Sequence, residues 1–103
     1  MLGGLFGSAL QAAVHSEFYA IAQLLLDNQA DINAQDDSHG NALQVAAYRG
    51  SEAIVQLLLN NQADVNAEGG RFGNALQAAR FNRHETIVGL LLERQAHSNH
   101  KDY

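Results

Sequence analysis

The sequence predicts an all-α fold: a helix-turn-helix solenoid of three stacked repeats joined by short β-hairpin-like turns. The chain is self-similar at an offset of 33 residues, each period carries two short apolar patterns with helical spacing, and a polar, Gly-bearing stretch separates one period from the next. At that offset Gly7, Gly40 and Gly73 align, as do Ala9-Leu10-Gln11, Ala42-Leu43-Gln44 and Ala75-Leu76-Gln77. The register continues through Ile21, Ile54 and Ile87, the three Leu triplets that start at Leu24, Leu57 and Leu90, and finally Asn33, Asn66 and Asn99. Twelve of the thirty-three columns are identical in all three copies, with no insertion. Self-similarity at such a period marks units that cannot bury an apolar face alone and stack to do so.

One domain spans 1–103, with a partial hairpin at 1–6, repeats at 7–39, 40–72 and 73–103, and a degenerate tail from 97. In the middle unit Asn41 is a good N-cap for an apolar pattern over Ala42, Leu43, Val45, Ala46 and Ala47, so 41 to about 49 reads as a first helix that Gly50 breaks. Ile54, Leu57 and Leu58 stand at i, i+3 and i+4, the stripe of a second amphipathic helix over about 51–60, which Leu59 widens. The stretch from Asp64 to Phe72 is polar and contains "EGGRFG", suited to a tight turn with positive φ.

Composition narrows the function. The chain has 103 residues, no Cys, 47% hydrophobic and 17% charged residues, and a formal net charge of -5. The apolar content argues for a folded domain, and the lack of Cys removes disulfides and thiolate chemistry and suits a reducing, intracellular compartment, cytoplasmic or nuclear. Six Lys and Arg against eleven Asp and Glu make neither nucleic acid nor an anionic membrane a natural partner. The apolar start "MLGGLFGSALQAAV" has no basic region and is interrupted by Gly3, Gly4 and Gly7, so it reads as structure, and no stretch is long and apolar enough to span a bilayer.

The stretch "GSEAIVQLLLNNQADVNA", Gly50 to Ala67, and "GNALQVAA" before it resemble the ankyrin repeat family over essentially the whole chain, the Asn-Ala-Leu-Gln form being similar to that of fungal ankyrin proteins. Against the family pattern, Ser8, Asn41 and Asn74 stand at the usual Thr, where each can still cap the first helix. Ala9, Ala42 and Ala75 replace Pro, and Gln11, Gln44 and Gln77 replace His, where an amide can bridge between turns. The resemblance also puts Gly at Gln29, Gln62 and Gln95, the joint after the second helix, so these three are expected in left-handed geometry.

The ends depart from the middle. Leu2 to Phe6 align with Glu68 to Phe72, so the chain opens inside a hairpin, and Phe18 and Tyr19 stand where later units have Ser51-Glu52 and His84-Glu85. Either a partner, a second copy or an upstream repeat covers these aromatics, or they fold back on Leu2 and Leu5. At the other end Arg80 replaces Ala47 among Asn82, Arg83, His84 and Glu85, a polar cap, and a frayed tail follows Ala96.

Nothing in the sequence assembles a catalytic or cofactor site, so no enzyme activity, cofactor or metal is expected. His97 and His100 have ligand-like spacing without a third or fourth ligand, Asp36-Asp37 lacks the ordered oxygen ligands of a calcium loop, and Asp31 and Asp64 recur as turn residues. "GGLFG" and "GGRFG" lack the Lys-Ser/Thr ending of a phosphate loop. What remains is recognition of a protein partner. The resemblance implies a concave face lined by first helices and hairpin tips, with binding residues in the variable columns: His15, Tyr48 and Phe81; Arg49 and Asn82; and Arg71 and Phe72 at a tip. Aromatic and Arg residues are common interface anchors, although Phe6, His39 and Phe72 share one column next to the repeating Gly, and for that column packing against the neighbouring hairpin is the expected role. A different class of answer makes the chain a structural fragment or terminal cap of a larger array.

Overall fold

In the computed structural model, which describes residues 2–35 and 39–99, with side chains at 9–35 and 39–95, six helices follow one another. They are α1 (Leu2–His15), α2 (Tyr19–Asp27), α3 (Ala42–Arg49), α4 (Glu52–Asn60), α5 (Ala75–Phe81) and α6 (Glu85–Asn99). The first helices α1, α3 and α5 pack in succession as one layer, the second helices α2, α4 and α6 as another, and each first helix packs on the second helix of its own unit. Among the described residues the only extended pairing is the bridge between Gly69 and Gly73, whose 2.8 Å N–H···O bond closes the tip of a hairpin.

The middle unit shows why these residues fold this way. Asn41 Oδ1 accepts the Gln44 N–H at 2.9 Å and Gln44 Oε1 accepts the Asn41 N–H at 2.6 Å, a complete capping box that satisfies two orphan donors of α3. Gly40 at φ +74° makes room for it, since a Cβ there would strike Gln44 Oε1. The Gln44 amide then donates to the carbonyls of Gly69 at 2.9 Å and Gly73 at 3.2 Å, tying the helix to the hairpin that ends its unit. Gln11 does the same one unit earlier, donating to Ala34 O at 2.6 Å and Gly40 O at 3.0 Å. The amide expected to bridge between turns therefore bridges helix to hairpin. In the third unit Asn74 still caps α5 through the Gln77 N–H, and the Gln77 side chain is exposed, with no tie to a hairpin among the described residues.

The second joint also repeats. Gln29 N donates to Leu26 O and Ala30 N to Leu25 O; Gln62 N donates to Leu59 O and Ala63 N to Leu58 O. This paired pattern is the Schellman end of a helix, and it places Gln29 at φ 72° and Gln62 at φ 70°, the left-handed geometry expected there. Asn28 and Asn61 each return a side-chain N–H to the carbonyl four residues back, at 2.8 Å, and Asp31 and Asp64 accept the N–H two residues ahead, as turn residues do. Asn33 Oδ1 accepts the Asp64 N–H at 3.0 Å and links the two turns.

Three expectations are corrected. Residues 2–6 do not form a partial hairpin: α1 runs unbroken from Leu2, so Ser8 lies inside a helix and cannot be its N-cap. The third joint at Gln95 does not turn, because Arg94 replaces the carbonyl-bonding Asn and His97 replaces the turn-forming Asp, and α6 continues to Asn99 instead of fraying after Ala96. A further left-handed column went unforeseen: Glu17, Gly50 and Arg83 have φ of 62°, 80° and 59° at the ends of the first helices. Asp36-Asp37 and His100 lie outside the described residues.

The core lies between the layers and between units. Leu10, Leu43, Val55, Leu58, Ile87 and Leu91 are fully buried, and Ala42, Ala46, Ala47, Ala75, Ala78 and Ala79 let the first helices approach closely. Complete burial of one such Leu stabilises by about 1.5–3 kcal/mol.

Two outcomes are expected. Gln62→Gly should raise unfolding free energy by about 1 kcal/mol by relieving a left-handed non-Gly residue; a lower denaturation midpoint in urea would contradict the geometry of the joint. Gln44→Ala should cost about 2–3 kcal/mol, since the Gly69 carbonyl and the Asn41 N–H lose their partner and the Gly73 carbonyl loses one of two donors, whereas Gln77→Ala should stay within about 0.5 kcal/mol, a contrast that parallel urea titrations measure.

Candidate functional site

At the carboxyl ends of α3 and α5 the period brings two aromatics of one column, Tyr48 and Phe81, to the same side of the molecule, and the hairpin between those helices delivers Phe72 to them. Tyr48 and Phe72 stack with centroids 5.0 Å apart and planes 17° apart, Phe72 and Phe81 lie 4.6 Å apart at 35°, and Tyr48 and Phe81 lie 6.3 Å apart at 21°. The Arg71 guanidinium sits 5.8 Å from the centre of Phe72, within cation–π range. Tyr48 and Phe72 are half-buried against the core, but Phe81 is 64% exposed. Three rings and a cation thus form a continuous surface whose outer ring faces solvent.

One unit earlier the equivalent contact is His15 against His39, edge to face at 6.3 Å. The tip residues His39 and Phe72 therefore each meet the last turn of their own unit's first helix, and Phe72 also meets Phe81 at the end of the next. Between the two contacts lies a hollow of about 110 Å³, walled by His15, His39, Tyr48, Arg71 and Phe72 and floored by Gln44 and Val45. It presents apolar ring faces, a cation and imidazoles, the mixture that holds an amphipathic group by shape and a few polar contacts.

Arg49 and Asn82 lie apart from this surface. Arg49 Nη2 pairs with Glu17 Oε2 at 3.3 Å across to the preceding unit, with both groups well exposed, and such a pair is worth at most about 1 kcal/mol. Asn82 Nδ2 donates to the Tyr48 carbonyl at 2.8 Å, and His84 Nε2 reaches the same oxygen at 3.0 Å. A carbonyl only accepts, so Nε2 is the protonated nitrogen of that ring. The His84 ring fills the space a Cβ would occupy on Gly50. Arg94 makes a similar cross-unit contact, donating to Leu59 O and Asn60 Oδ1 at 3.1 Å. Arg49 and Asn82 thus join successive units, a role sequence reasoning missed because the same column holds Ser16, Arg49 and Asn82 and shows no shared chemistry.

Among the described residues no three His, Cys, Asp or Glu lie close enough to hold a metal ion, and no helix is long and apolar enough to cross a membrane. Six helices in two stacked layers, with a turn after the second helix of each of the first two units, bring the comparison with known families to a decision: the family model for ankyrin repeats in three copies matches residues 10–102. The chain belongs to the ankyrin repeat family. Ankyrin repeats generally serve as protein–protein interaction modules and are generally non-catalytic. No curated protein matches the sequence significantly.

Within this ankyrin domain the three rings differ in what they support. Phe72→Ala removes the ring that seats both others and should cost about 1–2 kcal/mol, while Phe81→Ala should change stability by less than about 1 kcal/mol; equal losses in thermal melts would mean that Phe81 is packed as tightly as Phe72.

Proposed function

We propose that this ankyrin domain is a non-catalytic binding module that recognises a protein partner through a concave face of first helices and hairpin tips. The residues assigned to contact are Tyr48, Arg71, Phe72 and Phe81, with His15 lining the hollow and Arg49 and Asn82 outside it, on the cross-unit contacts. The observation that carries this reading is the exposure of Phe81, 64% of its surface, at the edge of a ring cluster already organised by Tyr48 and Phe72. Pre-packed aromatic and Arg groups lose little conformational freedom on binding, which is why they anchor interfaces. The proposed setting is the cytoplasm or nucleus, where a scaffold held by packing and amide hydrogen bonds needs no disulfide.

Affinity purification with the intact chain and with an Arg71→Ala/Phe81→Ala variant tests the reading. Partners retained by the parent should be lost by the variant while its melting temperature stays within about 4 °C. Unchanged partners would remove the ring cluster from recognition.

A second reading is favoured by a separate observation. Phe18 and Tyr19 are 53% and 42% exposed, and with them Ile21 and Leu24, a contiguous apolar edge along α2. On this reading the chain acts as a structural part of a larger array or assembly, in contact with another repeat through Phe18 and Tyr19.

A further inference from the structure

The columns of the repeat say what covers the α2 edge. Ile21 is 49% exposed, but its counterparts Ile54 and Ile87 are 3% and 1% exposed; Leu24 is 60% exposed, but Leu57 is 7%. The buried members belong to α4 and α6, which have a preceding second helix beside them; α2 does not. The opposite edge behaves as its mirror. Leu59 on α4 is 3% exposed with α6 beside it, whereas Leu92 on α6, in the same column, is 43% exposed. Every second helix therefore has two apolar edges, and the edge of one is built to fit the edge of the next. Among the described residues one edge of each kind is unmatched.

Charge is divided in the same sense. The first repeat, 7–39, holds five Asp and Glu and no Lys or Arg. The third, 73–103, holds four of the six Lys and Arg, including Arg80 and Arg83, against three acids; of the four, Arg94 is turned back onto the preceding unit. Opposite ends attract and like ends repel, which selects one orientation of approach.

We propose that a second copy of this chain stacks head to tail, laying its α2 edge of Phe18, Tyr19, Ile21 and Leu24 on the α6 edge at Leu92 of the first. This deepens the second reading above and rests on it. The contact repeats the α2–α4–α6 succession from one molecule into the next. It also gives the aromatic at Phe18 a seat. Inside the chain the His84 ring lies on Gly50, and the same two columns place Phe18 of the second copy against Arg83 of the first, a ring against a guanidinium. The interface is heterologous, so each copy added leaves one edge of each kind open and the assembly lengthens with concentration without closing.

The test uses the full chain in sedimentation velocity with two single-edge variants, Leu24→Glu and Leu92→Glu, both at exposed positions and both checked for folding by circular dichroism. The parent should gain average mass with concentration and lose it with added sodium chloride. Each variant alone should stay monomeric. Their equimolar mixture should form a dimer and stop there, because one retains a working α6 edge and the other a working α2 edge. A parent that is monomeric at every concentration overturns the proposal, as does a mixture that fails to pair. Self-association that persists in Leu92→Glu but not in Leu24→Glu also overturns it: that would be symmetric pairing of two α2 edges, which leaves the second reading standing. Should either variant fail to fold, Leu24→Gln and Leu92→Gln carry the same outcomes.

Discussion

Two helices of seven to nine residues cannot cover their own apolar surface, and the rest of this structure depends on that shortage. Isolated helices of such length are marginal in water and persist only through packing. Here the second helix carries apolar residues on both edges as well as underneath, so that Leu58 is buried within the unit, whereas Ile54, Leu57 and Leu59 are buried where α2 and α6 flank α4. The first helices solve the same problem with size instead of area: alanines at 42, 46, 47, 75, 78 and 79 bring backbones close enough that small side chains fill the interface. Burial is thus a property of neighbouring units, and exposure at α2 and at Leu92 follows from it.

Stacking by apolar contact alone would leave the units free to slide. Amide side chains remove that freedom. Gln11 and Gln44 hold hairpins, Asn33 links one turn to the next, Asn28 and Asn61 close helix ends, and Asn82 joins α5 to the end of α3. Nearly all of these bonds have a main-chain group as partner. Neutral amides suit the task because each donates and accepts at a fixed separation without the desolvation cost of burying a charge. Asn41 shows a cost, since among the described residues its Nδ2 is buried without a partner, as is Ser51 Oγ, although its Oδ1 caps α3.

The solenoid was legible because it is written three times: the period, the capping by Asn41 and Asn74 and the left-handed joints at Gln29 and Gln62 follow from columns that agree. What was not legible lies where columns disagree. Glu17 and Arg83 adopt the conformation of Gly50 although only the Gly announces it, because the chain path is imposed by the next helix. At the first unit, repeat alignment suggested a hairpin where α1 instead runs back to Leu2 in spite of Gly3, Gly4 and Gly7, and at the third joint Arg94 and His97 removed the side chains that make the turn. The ring cluster was half legible. Tyr48, Phe72 and Phe81 were each identifiable as variable aromatics, but periodicity is blind to contacts between columns, and the engagement of Arg49 and Asn82 with preceding units is visible only in three dimensions.

The tether from Gln44 has a consequence for how such a surface can change. It ends on the carbonyls of Gly69 and Gly73, atoms that every amino acid possesses, and so makes no demand on the side chains at 71 and 72 between them. The tether survives any substitution at 71 or 72, while the Phe72 ring adds a second, side-chain anchorage through Tyr48 and Phe81. Position 71 is therefore freer to vary than position 72, and the proposed contact surface can change at the one while the hairpin stays held at the other.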